Sequence, residues 1–170
     1  MCKKGFRRWR KLKSEWQKQM VKSKSRILII EDDENIRESL NILLQLSGYK
    51  VDKAKNGQEA LQKIIDHVYN LALIDINLPD MQGTELLGRL QDKMPDIVKI
   101  LITGYPCIQN VMKALNEGAD AYIKKPFKPE KLIALIEEKL EKQRRAEKMI
   151  DVQITDWIKT RTNKSVEKGY

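Results

Sequence analysis

Leu-Ala-Leu-Ile-Asp-Ile-Asn-Leu-Pro-Asp-Met-Gln-Gly (71–83) is the stretch on which the fold turns. Leu71 to Ile74 is an unbroken apolar run, too short for a helix and without polar alternation. Such a run fits a strand buried on both faces. It stops at a carboxylate, Asp75. Pro79-Asp80 then marks a turn, and after Gly83 the residues Leu86, Leu87 and Leu90 recur at helical spacing. A strand covered on both faces, running directly into a loop and a helix, implies a parallel sheet with helices on either side.

The same unit recurs outward in both directions. Upstream, Ile27 to Ile30 runs into Glu31-Asp32-Asp33, and Ile36, Leu40, Leu43 and Leu44 form a helical pattern closed by Gly48. Tyr49 to Ala54 is a weaker, edge-like strand. Asn56-Gly57 marks a turn, and Ala60, Leu61, Ile64, Ile65 and Val68 give a second helix. Downstream, Ile97 to Ile102 ends at Thr103-Gly104. Val111, Met112 and Leu115 belong to a fourth helix stopped by Gly118. Ala121 to Ile123 ends at Lys125-Pro126, and Pro129 opens a fifth helix through Leu132, Leu135, Ile136 and Leu140 that runs toward Arg145 and beyond. The expectation is an α/β, doubly wound, five-stranded parallel sheet with five helices.

Composition agrees with one domain and short extensions. The chain has 170 residues, 41% apolar and 34% charged, enough to stand without disulfides or metal staples. Cys2 and Cys107 have no pairing or metal-ligand spacing, which fits free thiols in a reducing compartment. His67 has no Cys or carboxylate cluster around it and reads as structural or solvated. The longest apolar runs are too short to span a membrane, and the basic N-terminus lacks the apolar core of a secretory signal, so a cytoplasmic location is expected. Net charge is +9, but residues 1–26 carry +10 of it and the remaining 144 sum to −1. The high pI therefore belongs to the leader and says nothing about the folded body.

Chemistry gathers at the strand ends. In an open parallel sheet, ligands bind outside the carboxyl ends of the strands, near the point where strand order reverses. Strand one delivers Glu31 and Asp32 there, strand three Asp75, strand four the hydroxyl of Thr103, and strand five Lys125. Any one of these alone would be an ordinary solvated loop residue. Together, three carboxylates repel one another unless a cation neutralises them. Oxygen ligands with room for water suit Mg²⁺. Such an ion, with a lysine opposite, stabilises charge on a transferring phosphoryl group, and Asp75 is the carboxylate placed to form an acyl phosphate.

With those residues in view, residues 26–142 resemble the receiver domain of two-component response regulators, in a single-domain, chemotaxis-regulator-like form. The blocks that carry the resemblance are Ile-Leu-Ile-Ile-Glu-Asp-Asp-Glu-Asn-Ile-Arg (27–37), the stretch 71–83, Leu-Ile-Thr-Gly-Tyr (101–105) and Gly-Ala-Asp-Ala-Tyr-Ile-Lys-Lys-Pro-Phe (118–127). The resemblance implies a flavodoxin-like fold with strand order 2-1-3-4-5 and phosphotransfer from a histidine kinase or phosphotransfer protein. It makes Glu31 and Asp32 the acidic pair, Asp75 the phosphoacceptor, Thr103 the switch hydroxyl, Tyr122 the switch aromatic and Lys125 the conserved-type lysine. It places Mg²⁺ on Asp32, Asp75 and the backbone carbonyl of Asn77, with Glu31 acting through water. Alignment through Ile36-Arg37 leaves Asp33 as a neighbour of the pair, and glutamate at position 31 departs from the commoner aspartate. Lys125 is preferred over Lys124 because it immediately precedes proline. Asn77 and Tyr105 are placed to tune hydrolysis of the acyl phosphate, and a merely structural role suits them equally.

The resulting organisation is a basic amphipathic leader (1–25), a receiver domain (26–145) and a short helical tail (146–170). In the leader, Phe6, Trp9, Leu12, Trp16 and Met20 share one arc of a helical wheel. That pattern fits a membrane-surface or partner-binding element. A solvated tail, or an overlong gene start ahead of Met20, fits it too, and nucleic-acid contact is the remaining option. The tail, with Ile150, Ile154, Trp157 and Ile158, is expected to be a solvated helix, with packing on the receiver or pairing in a homodimer as the alternatives. No DNA-binding motif is present.

The expected activity is thus a stand-alone response regulator, not an enzyme beyond its own phosphorylation and dephosphorylation. Its output would be a protein target bound on the face of the fourth helix, fifth strand and fifth helix. A phosphorelay intermediate differs only in its downstream partner. An Mg²⁺-dependent aspartyl phosphatase would place an acid/base aspartate two residues after the nucleophile, where this chain has Asn77. A nucleic-acid-binding regulator would act through residues 1–26.

Overall fold

The computed structural model describes residues 25–104 and 114–166. Five parallel strands, β1 (Arg26–Ile30), β2 (Lys50–Ala54), β3 (Leu71–Asp75), β4 (Val98–Thr103) and β5 (Ala121–Lys124), form one sheet in the order β2-β1-β3-β4-β5. The helices between and after them are α1 (Glu34–Leu46), α2 (Gly57–Asp66), α3 (Gly83–Lys93), a helical stretch at 114–116 (α4) and α5 (Pro129–Val166). This is the doubly wound architecture that the alternating runs imply. The stripe of the leader, Tyr105, Val111, Met112 and both cysteines lie outside the described residues.

Strand pleating explains why the apolar runs are continuous. Odd-numbered residues Ile27, Ile29, Leu71, Leu73 and Val98 to Ile102 in even steps meet Leu40 and Leu44 of α1 and Leu132, Ile136 and Leu140 of α5. On the other face Leu28, Ile30, Ala72, Ile74 and Leu101 meet Ala60 and Ile64 of α2 and Leu86, Leu87 and Leu90 of α3. Each Leu or Ile removed from water contributes about 1.5–3 kcal/mol. A strand with two buried faces collects that gain at every position. β2, at the edge, is only half-buried at Val51 and Asp52 and exposed at Lys50 and Lys53, as its mixed sequence requires.

Helix ends are fixed by local chemistry. Asp33 caps α1, its Oδ1 accepting from the Ile36 N–H at 3.0 Å. Asn56 caps α2 by accepting from the Glu59 N–H at 2.8 Å, and Glu59 reaches back past the cap to accept from the Lys55 N–H at 3.0 Å. Gly48 and Gly118 follow α1 and α4 with φ of 90° and 89°, the left-handed geometry that ends a helix at little cost only in glycine.

Some residues fall outside the expected pattern. Ile65 and Val68 are exposed, because α2 ends at Asp66 and the apolar face is used up by Ala60 and Ile64. Lys99 lies within the apolar fourth strand and is 1% exposed. Its Nζ donates to the carbonyl oxygens of Ile97 at 2.9 Å and Pro95 at 3.5 Å. α5 is 38 residues long and passes the 145/146 position without a break.

Candidate functional site

The carboxyl ends of β1, β3, β4 and β5 converge at the point where strand order reverses around β1 and β3. Glu31 follows β1 directly and is held in line by its N–H, which donates to the Ala54 carbonyl of β2 at 3.1 Å. Asp75 is the last residue of β3. Carboxylate oxygens of Glu31, Asp32 and Asp75 all lie within 4.8 Å of one another. Glu31 and Asp75 are buried, while Asp32 faces solvent. Three residues that are remote in sequence therefore share one small volume.

Lys125 closes the opposite side. Its Nζ donates to Glu31 Oε2 and to Asp75 Oδ1, each at 2.7 Å. Lys124, the last residue of β5, is exposed, so of the lysine doublet only Lys125 makes these two ion pairs. The Lys125 N–H also donates to the Thr103 carbonyl at 2.7 Å, tying the loop after β5 to the end of β4. Burial alone pulls the ammonium pKa down, but hydrogen bonds to Asp75 and Glu31 outweigh it and hold the group above its usual range. Glu31 moves the other way from a normal carboxyl: burial raises its pKa, and the Lys125 hydrogen bond only partly offsets that.

The loop after β3 is shaped around Asp75. Asp75 Oδ2 accepts from the Asn77 N–H at 2.7 Å. Asn77 bridges to Gln82, and the Gly83 N–H donates to the Ile76 carbonyl at 2.7 Å, folding residues 76–83 into a tight return. A Cβ on Gly83 would collide with the backbone carbonyl oxygen of Asp75. The loop is anchored at its far side by Asp80, whose two carboxylate oxygens accept from the Gly57 and Gln58 N–H groups at 3.0 and 2.8 Å. That places a carboxylate at the N-terminus of α2, where the helix dipole favours it. Burial is the largest single effect and raises its pKa, but backbone hydrogen bonds from Gly57, Gln58, Asp80 and Met81 together outweigh it and hold Asp80 below the usual carboxyl range.

Three carboxylates facing one ammonium leave the site with excess negative charge. The donor set is all oxygen and opens to solvent at Asp32. Those features fit a hard divalent cation such as Mg²⁺, held by one or two carboxylates and completed by water and phosphate oxygens. Asp32, Asp75 and the Asn77 carbonyl are the protein groups that would hold it, with Glu31 committed to Lys125.

Two further residues expected from the sequence lie on the neighbouring strands β4 and β5. Thr103 is 2% exposed at the end of β4, and Tyr122 on β5 is 44% exposed. β4 and β5 are paired, with Leu101 opposite Tyr122. His67 is exposed and meets Tyr69 edge-on, away from the acidic cluster. Sequence reasoning missed Asp80, whose partners lie 22 and 23 residues away, and the structural part played by Arg37. Arg37 Nη1 donates to the carbonyls of Glu31 and Asp32 at 2.8 and 3.0 Å. A basic residue one turn into α1, after an acidic strand end, was the only signal for it.

Comparison with known proteins gives the same picture. A family model described as the response regulator receiver domain matches residues 27–137. Response regulator ArlR of Staphylococcus aureus is 34% identical over 119 residues, which is 70% of this chain and 54% of that protein. A cyclic di-GMP phosphodiesterase of Thermotoga maritima is 38% identical over 106 residues, 62% of this chain but 28% of that protein. The chain spans about half, or less, of the length of these curated relatives. Among solved structures, a CheY-like response regulator receiver domain protein from Methanospirillum hungatei superposes with a TM-score of 0.70 at 46% identity, covering 72% of this chain and 98% of that one. The response regulator TrrA of Thermotoga maritima, solved in complex with Mg²⁺-BeF, superposes with a TM-score of 0.63 at 36% identity, covering 68% and 98%.

Proposed function

The chain belongs to the response regulator receiver family, and on that premise we propose that it is a phosphorylation-controlled switch that carries its phosphoryl group on Asp75. The family is one of two-component signalling, with phosphorylation and Mg²⁺ binding among its features. The observation that carries the proposal is the pair of ion pairs from one ammonium, Lys125, to Asp75 and Glu31, beside the open carboxylate of Asp32.

The chemistry follows from that placement. A carboxylate oxygen of Asp75 attacks the phosphorus of a phosphohistidine on a histidine kinase or phosphotransfer protein. The P–O bond forms as the P–N bond breaks, and the imidazole leaves with the bonding pair. Mg²⁺, bound by Asp32, Asp75 and the Asn77 carbonyl, would offset charge on the phosphoryl oxygens. Lys125 supplies the second cation, released from Asp75 to an equatorial oxygen. Glu31 keeps Lys125 oriented and would meet a bound cation only through water. Asn77, two residues beyond Asp75, tunes the lifetime of the acyl phosphate, and Tyr105 is assigned the same part by its place in the sequence alone. Receiver domains are not enzymes in the usual sense, and self-phosphorylation and self-dephosphorylation at Asp75 are the catalysis proposed here.

The switch rests on Thr103 and Tyr122. Phosphorylation adds about 1.5–2 negative charges at Asp75. Thr103 turns its hydroxyl to a phosphoryl oxygen, and the vacated space admits the exposed ring of Tyr122. The α4–β5–α5 face then changes its preference for a target protein. A receiver domain over 26–145, acting by protein contact in the cytoplasm, is the organisation this supports. Among the described residues no helix is long and apolar enough to cross a membrane.

The test is labelling of the full chain with acetyl phosphate and Mg²⁺, read by intact mass. The wild type gains one phosphoryl group and Asp75→Asn gains none. Undiminished labelling of Asp75→Asn would show that the phosphoacceptor lies elsewhere.

A further inference from the structure

We propose that Arg37 is a positioning residue for the cation site, setting the main chain of Glu31 and Asp32 so that the Asp32 carboxylate meets the ion, and the Glu31 carboxylate meets Lys125, in a preformed arrangement. The inference rests on the Mg²⁺ site described above and adds a residue to it that would touch neither the ion nor the phosphoryl group.

The geometry is specific. Arg37 lies one turn into α1, half-buried, and a single terminal nitrogen, Nη1, reaches back over the N-terminus of the helix to two successive carbonyls, at 2.8 and 3.0 Å. That nitrogen has two hydrogens, one for each acceptor. The two carbonyls belong to the two residues whose side chains make up the acidic pair. Glu31 is also fixed through Ala54 and Lys125. Asp32 is exposed, one residue ahead of the Asp33 cap. Its backbone bond to Arg37 is therefore a principal restraint on where its carboxylate points. Groups that orient a ligand without touching the metal typically account for 10–100-fold in affinity.

Charge and position act in opposite directions here, which makes the inference decidable. A guanidinium beside a cation site repels the cation, so on charge alone its removal would tighten Mg²⁺ binding. If Arg37 positions the loop, its removal must weaken binding despite the lost repulsion. Lysine keeps the charge, but its ammonium sits one bond nearer the main chain and falls short of the two carbonyls that Nη1 reaches.

Mg²⁺ binding to the full chain is measured by isothermal titration calorimetry for wild type, Arg37→Met and Arg37→Lys. The expected result is binding weakened about tenfold in Arg37→Met and about threefold in Arg37→Lys. Unfolding midpoints in chelator stay close to wild type, and acetyl phosphate labelling recovers fully at saturating Mg²⁺. Either folded variant binding Mg²⁺ as tightly as wild type, or more tightly, overturns the inference. Should Arg37→Met fail to fold, Arg37→Lys decides alone, since its charge is unchanged. A wild type that binds no Mg²⁺ overturns the functional proposal as well, whereas wild-type binding with unaffected variants overturns this inference only.

Discussion

Gly83 shows how tightly single positions are determined around Asp75. Its N–H bonds the Ile76 carbonyl at 2.7 Å, and an added Cβ would strike the Asp75 carbonyl oxygen and lie 2.9 Å from Ile76 Cα. Both obstacles are backbone, so neither a rotamer change nor a flexible neighbour relieves them. Gly83→Ala is expected to cost about 2 kcal/mol or more, read from urea unfolding, because β3 or the start of α3 must shift. The same shift displaces Asp75, so phosphoryl labelling is expected to fall with it. Gly83 was visible in the sequence as a helix start, but the carbonyl against it was not. Asp80 is similar: as half of a Pro-Asp pair it reads as a turn residue, and only the fold shows it closing the first turn of α2.

At the scale of elements, β4 contains the least expected feature of the chain. Val98, Ile100, Leu101 and Ile102 fill both core clusters, and Lys99 is buried among them with its ammonium facing two carbonyls. Burial is the main effect and lowers its pKa, while Asp120 and Asp96 pull the other way. A lysine whose folded pKa is depressed lowers stability below that pKa, where the buried group is charged. The penalty shrinks as pH rises from the folded pKa toward the unfolded value, since there the unfolded chain binds more protons. Lys99→Met keeps the volume and removes the charge. It is expected to stabilise the protein by about 1 kcal/mol where Lys99 is charged, with the advantage narrowing as pH rises toward the ordinary lysine range in parallel urea titrations. A strand reading from apolar runs passes over Lys99, because one polar residue between buried neighbours does not reveal whether its side chain is covered.

Over the whole molecule, α5 does two different jobs along one continuous helix. Leu132, Ile136 and Leu140 seal the sheet, whereas Met149, Ile150, Val152, Ile154 and Trp157 are all exposed. Residues 145–155 are all exposed. A chain ending at Lys148 is therefore expected to unfold within about 2 °C of the full chain in thermal circular dichroism. A larger drop would mean that the extension contributes to the fold, through the body or through a second copy. Charge divides in the same way, with +10 in residues 1–26 and a nearly neutral remainder.

The sequence by itself determined the sheet, its strand ends and the identity of the acidic cluster. Each central strand is an apolar run that makes sense only with both faces buried, and each such run stops at a residue with chemistry, so Glu31, Asp32, Asp75, Thr103 and Lys125 were bound to meet at one edge. Tertiary structure alone decided what holds that edge in shape. The two carbonyls on Arg37, the anchor at Asp80 and the burial of Lys99 depend on distances between residues that no local pattern relates. Hydrophobic periodicity records which face is covered. Hydrogen-bond partners across the fold leave no periodic trace, because a single polar residue has the same appearance in sequence whether it faces water or closes a network.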